Sequence, residues 1–118
     1  MERISFVTHC GKRILLIDYS HLSASGIAEV ADQAPAVITK EPAGSVLLLD
    51  DFTGAEFTRE AIEHFKIAAA RDKPHILRDA MVLDHNLPKA LYDSVRAFST
   101  REFPIFSTRE EALEYLVS

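Results

Sequence analysis

Polar residues stand where each of four apolar runs gives out: Asp18-Tyr19, Asp50-Asp51, Asp84-His85 and Ser107-Thr108. In an open α/β sheet, ligands gather beyond the carboxyl ends of the strands. Carboxylates converging there suit a hard cation such as Mg²⁺ or a phosphoryl-accepting centre. Asp18, Asp84 and His85 are therefore the expected rim of a ligand site. A phosphoryl-accepting domain also needs a lysine near the last strand, and Phe103-Pro-Ile-Phe-Ser107 has none. Aspartates after strands also cap helices, so metal or phosphoryl chemistry is the lesser expectation.

The remaining chemistry-bearing residues are scattered. His9, His21, His64, His75 and His85 fall on different segments without metal-ligand spacing, and one cysteine cannot build a structural zinc site. His9 and Cys10, as neighbours on a strand, are expected to point to opposite faces, which argues against a nucleophile pair. The chain has no Gly-x-Ser-x-Gly elbow, no phosphate-binding P-loop and no Gly-x-Gly-x-x-Gly. No catalytic residue, no cofactor and no metal is expected, and the chain reads as a non-enzyme.

One loop resists a purely structural reading. Asp50-Asp-Phe-Thr-Gly-Ala-Glu-Phe-Thr58 joins a buried strand to a helix and holds two aromatics that a solvated loop does not need. Structurally, Gly54 makes the turn, Phe52 and Phe57 plug the core, and Thr58 caps the helix. Functionally, Asp51, Phe52, Thr53, Gly54 and Thr58 form a candidate partner-binding or modification loop. Threonine hydroxyls at a helix N-terminus suit an anion, whereas Asp50, Asp51 and Glu56 repel a phosphate; binding is thus favoured over phosphorylation.

The elements that position these residues follow from periodicity. Residues 3–10 alternate, and Gly11-Lys12 breaks the run as a hairpin turn does. Residues 13–19 are a nearly continuous apolar strand. Ser23 is a candidate cap for an amphipathic helix with Ile27, Val30, Ala31, Ala34 and Ile38 on one stripe, and Pro35 is expected to kink or interrupt it. Residues 45–49 make the next strand. Thr58 caps a helix that buries Ala61, Ile62, Phe65, Ala68 and Ala69. A strand over residues 75–83 leads to a helix capped by Asp84 or Asn86, with Leu87, Leu91, Val95 and Phe98 inward. Residues 103–106 form a short strand, and Thr108-Arg-Glu-Glu111 is a capping box for a last helix with Ala112, Leu113 and Leu116 inward. The order β-β-α-β-α-β-α-β-α predicts an α/β domain with a single mixed, mostly parallel sheet of about five strands and four helices.

Composition agrees with that class. The 118 residues are 47% hydrophobic and 26% charged, with a net charge of −5. This is one soluble domain's worth of chain, able to bury roughly two-thirds of its unfolded surface. The acidic balance argues against nucleic acid and anionic membranes as partners. Apolar runs such as Val46–Leu49 fall far short of the roughly 20 residues of a membrane span, so no stable membrane association is expected. Glu2 and Arg3 and the broken apolar stretches do not read as a secretory signal. A lone Cys10 makes no internal disulfide, which points to a reducing, cytoplasmic setting. The open edge of the hairpin, with Arg3, Lys12 and Arg13 beside Phe6 and Val7, leaves both monomer and homodimer open.

Three blocks carry a resemblance: Gly11-Lys-Arg-Ile-Leu-Leu-Ile-Asp18, Ser45-Val-Leu-Leu-Leu-Asp-Asp-Phe-Thr-Gly54 and Phe106-Ser-Thr-Arg-Glu-Glu-Ala-Leu-Glu-Tyr-Leu116. Together they resemble the STAS-like family, small bacterial domains similar to anti-sigma-factor antagonists and linked to the CRAL-TRIO lipid-binding fold. The resemblance implies a non-enzymatic regulatory or protein-binding module whose loop before the second helix, residues 51–58, contacts an unknown protein partner. The antagonists carry an Asp-Ser phosphorylation motif in that loop, where this chain has Glu56-Phe57-Thr58. The alternative it implies is a small apolar-ligand or lipid-binding domain.

Overall fold

The structure, a computed structural model, describes residues 2–84, 89–101 and 103–118. Its elements are β1 (Ile4–His9), β2 (Lys12–Asp18), α1 (Ala24–Ile38), β3 (Val46–Asp51), α2 (Arg59–Asp72), β4 (Ile76–Val82), α3 (Lys89–Ser99), β5 (Ile105–Phe106) and α4 (Arg109–Val117). A single 3₁₀ turn, Lys73–His75, links α2 to β4. The five strands lie in chain order, β1 antiparallel to β2 and every later pair parallel. This is the α/β class and element order expected from the periodicity.

A chain that steps one strand at a time in one direction, with right-handed crossovers, leaves its crossover helices on one face. Accordingly α1, α2 and α3 pack on the face carrying Leu15, Ile17, Val46, Leu48 and Met81. The other face, with Ile14, Leu47, Leu49, Ala80 and Val82, is covered by Ala112 and Leu116 of α4. Strands buried on both sides must be apolar throughout, which is why β2 and β3 read as unbroken runs. Among the described residues, no helix is long and apolar enough to cross a membrane.

Several local expectations shift. The hairpin turns at Cys10-Gly11, one residue earlier than the sequence suggested, with φ of 49° and 76°. A two-residue hairpin turn with both φ positive matches the twist of its strands, and Gly11 meets that demand without strain. β3 runs on through Asp50 and Asp51 instead of stopping at Leu49. Pro35 does not interrupt α1, which continues to Ile38. It sits buried in the last turn, and its carbonyl accepts the N–H and hydroxyl of Thr39 at 3.0 and 2.6 Å. On α3, Val95 is buried and Leu91 half-buried, but Phe98 is 53% exposed. The inward position one turn beyond Val95 belongs to Ser99, whose hydroxyl donates to the Val95 carbonyl at 2.6 Å. Leu87 and the proposed cap Asn86 lie outside the described residues. The last strand is only Ile105–Phe106, with Phe103 ahead of it in the core.

Candidate functional site

The candidate site sits beyond the carboxyl ends of β2, β3 and β4. Asp18 and Asp51 end neighbouring strands and are register partners. Each begins a tight turn of the same kind. Asp18 Oδ1 accepts the Ser20 N–H and hydroxyl at 2.9 and 2.5 Å; Asp51 Oδ1 accepts the Thr53 N–H and hydroxyl at 3.0 and 2.7 Å. A short carboxylate bonding the backbone two residues on is the ordinary chemistry of such turns. The residue between is aromatic in both, and the rings of Tyr19 and Phe52 stack at 4.4 Å with their planes 3° apart. Asp18-Tyr-Ser20 and Asp51-Phe-Thr53 are therefore one device used twice. The repeat was visible in the sequence as Asp-aromatic-hydroxyl after an apolar run, and it is the signal that sequence reasoning passed over.

Backbone bonds lace the two turns together. Tyr19 N–H donates to the Asp51 carbonyl and His21 N–H to the Thr53 carbonyl, both at 2.8 Å, and Glu56 N–H donates to the Leu22 carbonyl at 3.0 Å. Gly54 has a φ of 64°, and a Cβ there would lie 2.4 Å from His21 Nδ1. Only glycine admits both that backbone and that neighbour. The Gly54 N–H donates to Asp84 Oδ1 at 3.0 Å, so Asp84 holds the loop after β3. His85 lies outside the described residues.

Two arginines neutralise this rim. Arg109, the first residue of α4, places Nε and Nη2 at 3.0 and 2.6 Å from Asp51 Oδ2, with Nη2 3.7 Å from Asp18 Oδ1. Arg3 Nη1 lies 3.7 Å from Asp18 Oδ1 and donates to the Asp18 and Ser20 carbonyls. Burial by itself would raise the Asp51 carboxyl, but the Thr53 hydrogen bonds and the Arg109 charge outweigh it and hold Asp51 below the ordinary carboxylate range. The carboxylates that the sequence offered for Mg²⁺ are thus engaged by guanidinium groups and turn donors. Among the described residues, the side chains close enough to share a cation are instead His9, Cys10 and Glu114. The expectation that His9 and Cys10 point apart fails because Cys10 is a turn residue with a left-handed φ, outside the strand alternation.

The structure divides the proposed contact loop. Phe52 is fully buried and Asp51 is 4% exposed, so neither presents a surface to a partner. Thr53 is half-buried with its hydroxyl given to Asp51, and Thr58 is exposed and caps α2 by accepting the Ala61 N–H at 3.2 Å. What faces outward is Gly54, Glu56 and Thr58, with His21 beside them.

Asp50 belongs to the opposite face. It points with Val46 and Leu48 toward α1–α3, and burial pushes its carboxyl well above the usual range. Close by, Arg101 donates through Nε to Asp79 Oδ2 at 3.2 Å and makes a shorter contact through Nη2. Asp72 ends α2, where the helix dipole disfavours a negative charge. Its Oδ1 is buried and finds no hydrogen-bond partner among the described residues. Burial raises the Asp72 carboxyl from its ordinary 3.8 to about 6, against the pull of Arg101, Arg71 and His75. A carboxyl raised in the folded state holds its proton more tightly there than in the unfolded chain. Stability from this group is therefore full below the unfolded value and is lost as pH climbs through about 6. At 1.36 kcal/mol per unit, the loss is about 3 kcal/mol. Asp72→Asn is expected to remove that loss and to stabilise the protein near neutral pH. Urea unfolding of both proteins at acid and at neutral pH checks it, and a variant less stable than wild type at neutral pH would contradict it.

Compared with protein-family models, with curated proteins and with solved structures, the chain matches none. The reading of its function rests on the rim itself.

Proposed function

We propose that this chain is a non-enzymatic, protein-binding regulatory module of STAS-like type, with the laced rim around residues 51–58 as its contact surface. The observation that supports it is how the rim uses its polar groups. Asp18, Asp51, Ser20, Thr53, Arg3 and Arg109 are committed to one another. The outer layer is exposed backbone at Gly54 with His21, Glu56 and Thr58. A surface fixed in advance loses little conformational entropy on docking, which favours recognition. The turn formed by Thr53 favours binding without modification, because a phosphate there would remove the hydroxyl donor that bonds Asp51 and set a second anion beside that carboxylate. The mixed, mostly parallel five-strand sheet and the order β-β-α-β-α-β-α-β-α are compatible with a domain of that type.

The test is affinity capture from the source cell with three folded baits: wild type, Glu56→Arg, and Lys40→Glu at the far end of α1. A protein captured by wild type and Lys40→Glu but lost with Glu56→Arg is the expected result. Equal capture by all three removes the rim as the contact surface.

A further inference from the structure

At the end of the sheet away from the rim, three side chains of different chemistry meet. One ligand atom each from His9, Cys10 and Glu114 lies within 4.8 Å of the others. His9 shares its side of β1 with Val7, which packs on the α4-side core, and its Nε2 lies 3.1 Å from Glu114 Oε1, 105 positions along the chain. Cys10 is a free, exposed thiol in the hairpin turn.

We infer that His9, Cys10 and Glu114 form a binding site for a divalent transition-metal ion of the zinc class. The donor set carries the choice. Magnesium and calcium take oxygen ligands, whereas a thiolate beside an imidazole selects a borderline-soft ion, and a carboxylate completes a set that zinc accepts. Tetrahedral bonds of 2.0–2.3 Å hold ligand atoms about 3.3–3.8 Å apart, so the His9–Glu114 pair is already near its bound spacing and the thiol has at most about 1.5 Å to close. Rotation about the Cα–Cβ bond of an exposed turn residue covers that distance. Three protein ligands leave a fourth position for water or for a group from another molecule. Binding releases the thiol proton to solvent and joins the first hairpin to the last helix, so the ion stabilises the folded chain by mass action. The site shares no residue with the rim, and its test is independent of the proposed function.

Metal-free protein is titrated with Zn²⁺ in competition with a chromogenic chelator, and with Co²⁺ followed by absorption. Cys10→Ser and Glu114→Gln serve as variants; both positions are exposed, and retained folding is checked by circular dichroism. The expected result is one ion per chain at micromolar protein, a thiolate-to-cobalt charge-transfer band, and a melting temperature that rises with Zn²⁺. Losing a ligand should weaken binding at least as much as losing an outer-shell partner does, about 10–100-fold. Cys10→Ser should also lose the charge-transfer band. Absence of stoichiometric binding, one ion per two chains, or undiminished affinity in both variants would overturn the site.

Discussion

Phe52→Ala is expected to destabilise the protein by about 3–5 kcal/mol, the usual range for truncating a buried phenylalanine. The ring is fully buried at the centre of the aromatic cluster: stacked on Tyr19, edge-on to Phe65 at 5.2 Å and tilted against Phe57 at 4.7 Å. Phe65 continues the cluster to Phe103 at 5.6 Å. Removing Phe52 therefore leaves a cavity between the sheet and α2 and frees Tyr19 from the turn after β2. Against a total of about 5–15 kcal/mol for a domain, that is a large fraction. Chemical denaturation measures it directly. A variant as stable as wild type that had lost a binding partner would return Phe52 to the contact surface and contradict the packing described above.

Arg101→Met should cost a similar amount, about 3–5 kcal/mol at neutral pH, because removing one partner of a buried ion pair strands the other. Arg101 is 6% exposed, bonded to Asp79 and to the Ala69 carbonyl at 2.9 Å, and lies over the Phe103 ring. Burial raises the carboxyls of Asp50, Asp72 and Asp79, and the Arg101 charge works against each rise. Without that charge, all three rise further. Groups raised in the folded state contribute stability that is lost as pH increases, so the deficit of the variant should shrink on acidification. Unfolding curves at neutral and acid pH decide the matter. A deficit that does not change with pH would mean that the methylene and ring packing of Arg101, rather than its charge, stabilises the core. The double variant Arg101→Met/Asp79→Asn should recover part of the loss, since it leaves no ionised partner for the missing guanidinium.

The local rules account for much of this molecule. Unbroken apolar runs in β2 and β3 could be satisfied only by a sheet covered on both faces, and the helical stripes of α1 and α2 are found among the buried residues. Ser23, Thr58 and Thr108 cap α1, α2 and α4 as read, because a cap depends on groups within four residues of itself. Where neighbours distant in the chain decide, sequence reading stopped. Asp50 and Asp51 are adjacent and alike, yet strand alternation sends one into the α1–α3 core and the other to Arg109. Phe98 and Ser99 exchange the roles that hydrophobicity assigns them because the inward turn of α3 falls on Ser99.

The sites divide in the same way. The twin turns at Asp18 and Asp51 are local, and the repeated Asp-aromatic-hydroxyl pattern carries them. That Arg3 and Arg109 would neutralise both aspartates was not legible, since those residues stand on opposite sides of the sequence and meet only when β1 and α4 fold onto β2 and β3. His9, Cys10 and Glu114 gave no spacing signal for the same reason. Periodicity is a property of contiguous chain, and it determined the layers, the faces and the caps. Charge pairing and ligand clustering act through space, so only the tertiary structure decided which aspartate is quenched, which is buried and which three donors converge.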